Sequence, residues 1–138
     1  MGRILAVDYG QKRIGLAVTD EYQIIATALD TVLVKDIHEY ITNYVNNNDV
    51  ERFVVGLPIT LDNKASESTV YVKNFVSWLK NKFKLPVERV DERFTSQMAF
   101  QTMIDSGINK KARKDKGLID KISATIILQS YMSMKEKG

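Results

Sequence analysis

Apolar residues fall in short runs through the first third of the chain: Ile4 to Val7, Ile14 to Val18, and Ile24 to about Val34, with polar turns between them. Runs of this length, bounded by turn residues, predict three strands at 4–8, 14–20 and 24–34. Their short connections predict an antiparallel meander. From Asp36 to Asn48 the period changes: Ile37, Tyr40, Ile41, Tyr44 and Val45 recur at helical spacing, and the polar stretch "NNND" ends the helix. A strand over "RFVVGLP" follows, then a helix that Ser66 or Ser68 can cap, with Val72, Phe75, Val76, Leu79 and Phe83 on its buried face and Trp78 beside them. "LPVERVDE" reads as the next strand. "TSQMAFQTMIDSG" reads as a helix capped by Thr95 and stopped by Gly107, and a last helix is predicted from about Gly117 to Met134.

Three antiparallel strands followed by strands that alternate with helices predict a mixed five-stranded α/β sheet with helices on both faces, in one domain spanning 1–138. The two later strands return through helical crossovers and should run parallel to the first. The end of the first strand, at Asp8, should then lie near the end of the last, at Glu92.

Composition narrows the chemistry. There is no cysteine, which excludes disulfides, thiolate nucleophiles and sulfur-ligated zinc. The single histidine, His38, cannot form a cluster and reads as a solvated residue of the first helix. Hydrolytic chemistry must rest on carboxylates, hydroxyls, lysines or a bound metal. Hydrophobic content of 44% with 27% charged residues is that of a soluble globular protein. No charged-then-apolar leader and no apolar stretch near the roughly 20 residues of a membrane span is present, so the expected location is the cytoplasm.

Three acids stand where a buried chain would not ordinarily place them. Asp8 ends an apolar strand, and a carboxylate there needs a cation or donors to replace its water. It can be read as a partner of the turn amides from Tyr9 to Arg13, or as a metal ligand. Asp91 and Glu92 end another strand; strand alternation sends them to opposite faces without choosing between them, and both can also be read as partners of Arg89 or Arg93. Asp120, in "KGLIDKISATIIL", shares a helical stripe with Ala124, Ile127 and Leu128, although a helix N-terminus alone also suits an anion. Three converging acids require a divalent cation between them, and oxygen-only ligation suits magnesium or manganese. One or two such ions can activate water and stabilise the leaving oxygen of a phosphodiester.

The net charge of +3 is unevenly placed. Lys110, Lys111, Arg113, Lys114, Lys116 and Lys121 stand against Asp115 and Asp120, a local balance of +4. Such a run is either a solvated face or a contact for a polyanion such as nucleic acid.

Taken together, "DYGQKRIGLAVTD", "VVGLP" followed by "LDN", "DERFTS" and "KGLIDKISATIIL" resemble the YqgF/RuvX family of the ribonuclease H-like superfamily, which is related to the RuvC resolvases. The likeness covers nearly the whole chain. It implies a ribonuclease H-like fold, a metal-dependent nuclease, and acids at Asp8, Glu92 and Asp120, so the resemblance takes Glu92 over Asp91. Arg13 and Arg93 stand at the family's arginine positions and are expected phosphate contacts, since a guanidinium grips two phosphate oxygens. Asn63 replaces the family's usual glycine in "LDN", a change that keeps the turn because asparagine tolerates left-handed backbone.

The resemblance implies maturation of the 5′ end of pre-16S ribosomal RNA, with resolution of Holliday junctions as the alternative activity. A resolvase normally acts as a symmetric dimer. No dimer-forming stripe is evident, and a monomer or weak homodimer is expected. Two other readings remain: an actin-like ATPase half, which would need a second domain, and a non-catalytic RNA-binding assembly factor using the basic stretch alone.

Overall fold

Alternation along the first strand decides which residues reach which layer. The computed structural model describes residues 2–10, 12–57, 67–91 and 116–137. Within them run β1 (Arg3–Tyr9), β2 (Arg13–Thr19), β3 (Ala26–Leu33), a 3-10 turn (Val34–Asp36), α1 (Ile37–Asn47), β4 (Val50–Leu57), α2 (Glu67–Phe83), β5 (Val87–Asp91) and α3 (Lys116–Lys137). The five strands form one sheet in the order β3-β2-β1-β4-β5. β3, β2 and β1 pair antiparallel; β1, β4 and β5 pair parallel, as the strand-then-crossover pattern predicts.

Leu5 and Val7 of β1 enter one core with Ile37 and Ile41 of α1 and Val72, Phe75, Val76 and Leu79 of α2. Ile4 and Ala6, on the opposite face, pack with Ala124, Ile127, Leu128 and Tyr131 of α3. The strands are apolar on both faces because both faces are covered. α2 closes where Lys84 takes a left-handed conformation (φ 57°) and donates its N–H to the Lys80 carbonyl at 3.1 Å. His38 is exposed on α1, as expected, and meets Trp78 edge-on with ring centroids 4.2 Å apart.

β3 starts two residues later than the apolar run suggests. The Asp20 carboxylate accepts the N–H groups of Tyr22, Ile24 and Ile25 at 3.2, 2.7 and 2.8 Å, which holds the segment as a turn and takes Ile24 and Ile25 out of the ladder. α3 starts where expected and runs three residues past the predicted end, to Lys137. The helix expected between Thr95 and Gly107 lies outside the described residues, as does Ser66. Among the described residues no helix is long and apolar enough to cross a membrane.

Tyr40 ties α1 to β3. Burial first, then the charge and hydrogen bond of Asp30, push its phenol up to about 12 from 10.0. A raised folded-state value means the contribution is fully present below the unfolded value and lost as pH rises through the folded one. Stability is therefore expected to fall between pH 10 and pH 12, with Tyr40→Phe weakening that dependence in thermal melts. An unchanged slope in the variant would contradict this role.

Candidate functional site

β1 carries Asp8 to its carboxyl end on the α3 face, because Asp8 alternates with Ile4 and Ala6. The next residue, Tyr9, turns to the other layer, where its ring lies 5.0 Å from that of Phe75 and burial raises its phenol. Anchoring Tyr9 in this way fixes the end of β1 on which Asp8 sits. The connection to β2 is equally constrained. Gly10 donates its N–H to the Arg13 carbonyl at 3.1 Å, and a Cβ on Gly10 would stand 2.4 Å from that oxygen. Only glycine fits this turn.

The residues beside Asp8 are bare on both sides. Across the antiparallel ladder its partner is Gly15, and on β4 the residue after the Val7–Val55 pair is Gly56. Directly paired and adjacent strand positions share a face, so Asp8 stands between two glycines on the α3 side. Neither neighbour on these two strands brings a side chain to the Asp8 carboxylate. Beyond Gly15, the row continues to Thr31 of β3. Arg13, two residues before Gly15, begins β2 on the same face and is half-buried.

The helix supplies the next position. Tyr131 accepts a 2.6 Å hydrogen bond from Arg52 Nη1, and Arg52 is level with Ile4, so the later part of α3 crosses the sheet at the start of β1. From there to position 120 is about 16 Å of helix at 1.5 Å per residue. From Ile4 to Asp8 is about 13 Å of strand. Asp120 precedes by one turn Ala124, which packs on the same face of the sheet as Asp8. β5 ends at Asp91, level with Leu57 of β4, at the Asp8 end of the sheet.

Glu92, Arg93, Lys110, Lys111, Arg113 and Lys114 lie outside the described residues, and Lys116 is the first residue of α3. Among the described residues no three His, Cys, Asp or Glu side chains gather into a metal-binding group. What the described residues do offer a hard divalent cation is an oxygen donor at Asp8 with bare backbone on either side. That is one ligand suited to an oxygen-seeking divalent cation.

The RuvX family, described as Holliday junction resolvase, matches residues 2–134. This chain belongs to the RuvX family. Among its relatives, a protein of Flavobacterium psychrophilum named "Putative pre-16S rRNA nuclease" is 51% identical over 136 residues, covering 98% of this chain and 99% of the relative. One of Porphyromonas gingivalis with the same name is 48% identical over 138 residues, covering 99% and 100%. Among solved structures, Thermus thermophilus RuvC in complex with a Holliday junction substrate superposes with a TM-score of 0.61 at 16% identity, over 97% of this chain and 96% of that one. At that identity the likeness shows a shared RuvC-type, ribonuclease H-like fold.

In this RuvX-family chain Gly56 joins Gly15 beside Asp8. A glycine inside the apolar run "RFVVGLP" is itself the signal, since a strand glycine marks close approach of a ligand or another backbone. Gly15→Val tests the bare flank. Overpacking is expected to cost about 1–3 kcal/mol of stability. Cleavage should fall about a hundredfold, because reacting groups tolerate little displacement. Full activity in a folded Gly15→Val protein would show that the space beside Asp8 is not used.

Proposed function

We infer that this chain is a metal-dependent nuclease that hydrolyses phosphodiester bonds, acting in the cytoplasm on the 5′ end of pre-16S ribosomal RNA. The observation that carries the reading is Asp8 at the end of the central strand, flanked by Gly15 and Gly56. The relatives' shared name supplies the substrate.

In this reading Asp8, Glu92 and Asp120 hold one or two magnesium or manganese ions. Val90 lies on the Asp8 face of β5, and counting from it by the two-residue strand period supports Glu92 over Asp91 as the third acid. When bound, the ion supplies Lewis acidity toward the phosphodiester and lowers the pKa of a water. The chain's own residues do the placing. Gly15 and Gly56 let the backbone of the nucleic acid approach Asp8. Arg13 and Arg93 grip phosphate oxygens, and Lys110, Lys111, Arg113, Lys114 and Lys116 attract and align the strand.

The same chemistry would cut a four-way DNA junction, and the family's description names that substrate. The test of the metal reading is cleavage of end-labelled precursor RNA in magnesium or manganese, with and without chelator. Cutting that vanishes with EDTA and returns with added ion is expected. Binding of RNA with no cutting under any ion would replace this reading with that of an assembly factor.

A further inference from the structure

At the end of the sheet opposite Asp8, the turn between β2 and β3 presents Tyr22, Ile24 and Ile25 to solvent at 69%, 70% and 62% exposure. These are large apolar side chains, and nothing about the turn is loose. Besides the three N–H groups held by the Asp20 carboxylate, Asp20 N donates to the Ile25 carbonyl and Gln23 N to the Asp20 carbonyl. Gln23 adopts a left-handed conformation (φ 59°), and its amide nitrogen donates to the Gly2 carbonyl at 2.8 Å and to Glu51. A non-glycine residue is thus kept in costly backbone geometry to aim apolar groups outward, the pattern expected of a functional surface.

The patch continues onto α3. A hollow of about 320 Å³ lies between Ile24, Ile25 and Ala26 on one side and Gln129, Met132 and Ser133 on the other. A second, of about 230 Å³, lies between Tyr22, Gln23, Met132 and Lys135. Met134 is 54% exposed on the same part of the helix. Projecting side chains and the hollows to receive them are therefore side by side. So are both signs of charge: Glu21, 65% exposed on the turn, has one oxygen 3.9 Å from Arg3 Nη2 of its own chain, and Lys135 stands on the helix with its Nζ 3.5 Å from the Gln23 Oε1.

We propose that this surface pairs with a second copy of the chain across a two-fold axis. In an isologous contact a residue i meets j and j meets i, so one patch must carry both halves of every complementary pair. This one does: the Tyr22–Ile25 turn of one copy fits the α3 hollows of the other, and Glu21 of each copy faces Lys135 of its mate. Four large side chains of about 200 Å² each, exposed to the extent given above, present on the order of 500 Å² of apolar surface, against about 800 Å² per partner in an interface of standard size. The remainder is rim.

The contact also bears on the reaction. A seven-residue β1 spans about 23 Å from this end to the Asp8 end. Pairing tail to tail therefore leaves the two Asp8 ends on the far sides of the dimer, on the order of 50 Å apart by the same strand rise. Two sites so placed cut independently, which suits single cuts in RNA rather than paired cuts across one junction.

Sedimentation equilibrium of the full chain from micromolar to millimolar concentration tests the proposal. The mass should rise from one chain to two. Ile25→Asp should weaken association about thirtyfold or more, the loss expected of a central apolar anchor. Glu21→Lys and Lys135→Glu should each weaken it, and the double variant should restore it; because Glu21 pairs with Arg3 and Lys135 acts on Glu51 within one chain, melts at concentrations where each variant is a single chain separate lost folding from lost association. A chain that stays single at millimolar concentration overturns the proposal, as does a double variant that associates no better than either single one. The readout is mass alone, so the outcome is independent of the nuclease reading.

Discussion

Asp8→Asn is expected to reduce metal-dependent cleavage by at least about a thousandfold, equivalent to roughly 4 kcal/mol of lost transition-state stabilisation. The substitution keeps the shape of the side chain and removes its charge. A hard divalent cation bound by oxygen donors depends on that charge, and the flanking glycines provide no substitute donor side chain. The strand end itself is held by Tyr9 against Phe75 and by the Gly10–Arg13 hydrogen bond, both untouched by the change. Melting temperature and RNA affinity should therefore stay near wild type while cleavage disappears. Parallel loss of binding and cleavage would instead make Asp8 a structural partner of its turn.

Phe53→Ala is expected to destabilise the protein by about 3–5 kcal/mol. Phe53 is fully buried at the middle of β4, and its ring lies 5.5 Å from that of Phe83, which in turn meets Trp78 edge-on at 5.5 Å. Truncation opens a cavity in the core between β4 and the Phe83 and Trp78 rings of α2. Against the roughly 5–15 kcal/mol of a typical domain, the loss should lower the melting temperature by about 10–20 °C. A drop of less than about 1 kcal/mol in denaturant titration would mean that the core repacks around the gap.

The sheet was legible because its strands are nearly continuous apolar runs and its crossovers are periodic helices. Tertiary burial and local propensity agree there, and short turns against helical crossovers set which strands run antiparallel and which parallel. Legibility failed first where a side chain competes with the ladder. Ile24 and Ile25 look like strand residues, yet the Asp20 carboxylate binds their amides and turns them outward. The same local event hid the candidate self-association surface, because its apolar groups come from a turn and a helix end rather than from one periodic stripe.

The candidate site was legible in part. Asp8 announces itself as a charge at the end of an apolar run, whereas Gly56 becomes informative only when register sets it beside Asp8. Strand alternation sends Asp91 and Glu92 to opposite faces without choosing between them, and Glu92 lies outside the described residues. The basic residues from Lys110 to Lys114 have no periodicity that fixes where they stand, and their role rests on charge alone.

The most direct measurement is a side-by-side cleavage assay of end-labelled pre-16S RNA and a four-way DNA junction, each in magnesium, with Asp8→Asn protein in parallel. Discrete cuts near the 5′ end of the RNA, abolished in Asp8→Asn, and no paired symmetric cuts in the junction are expected. Paired cuts in the junction with the RNA left intact would contradict this reading.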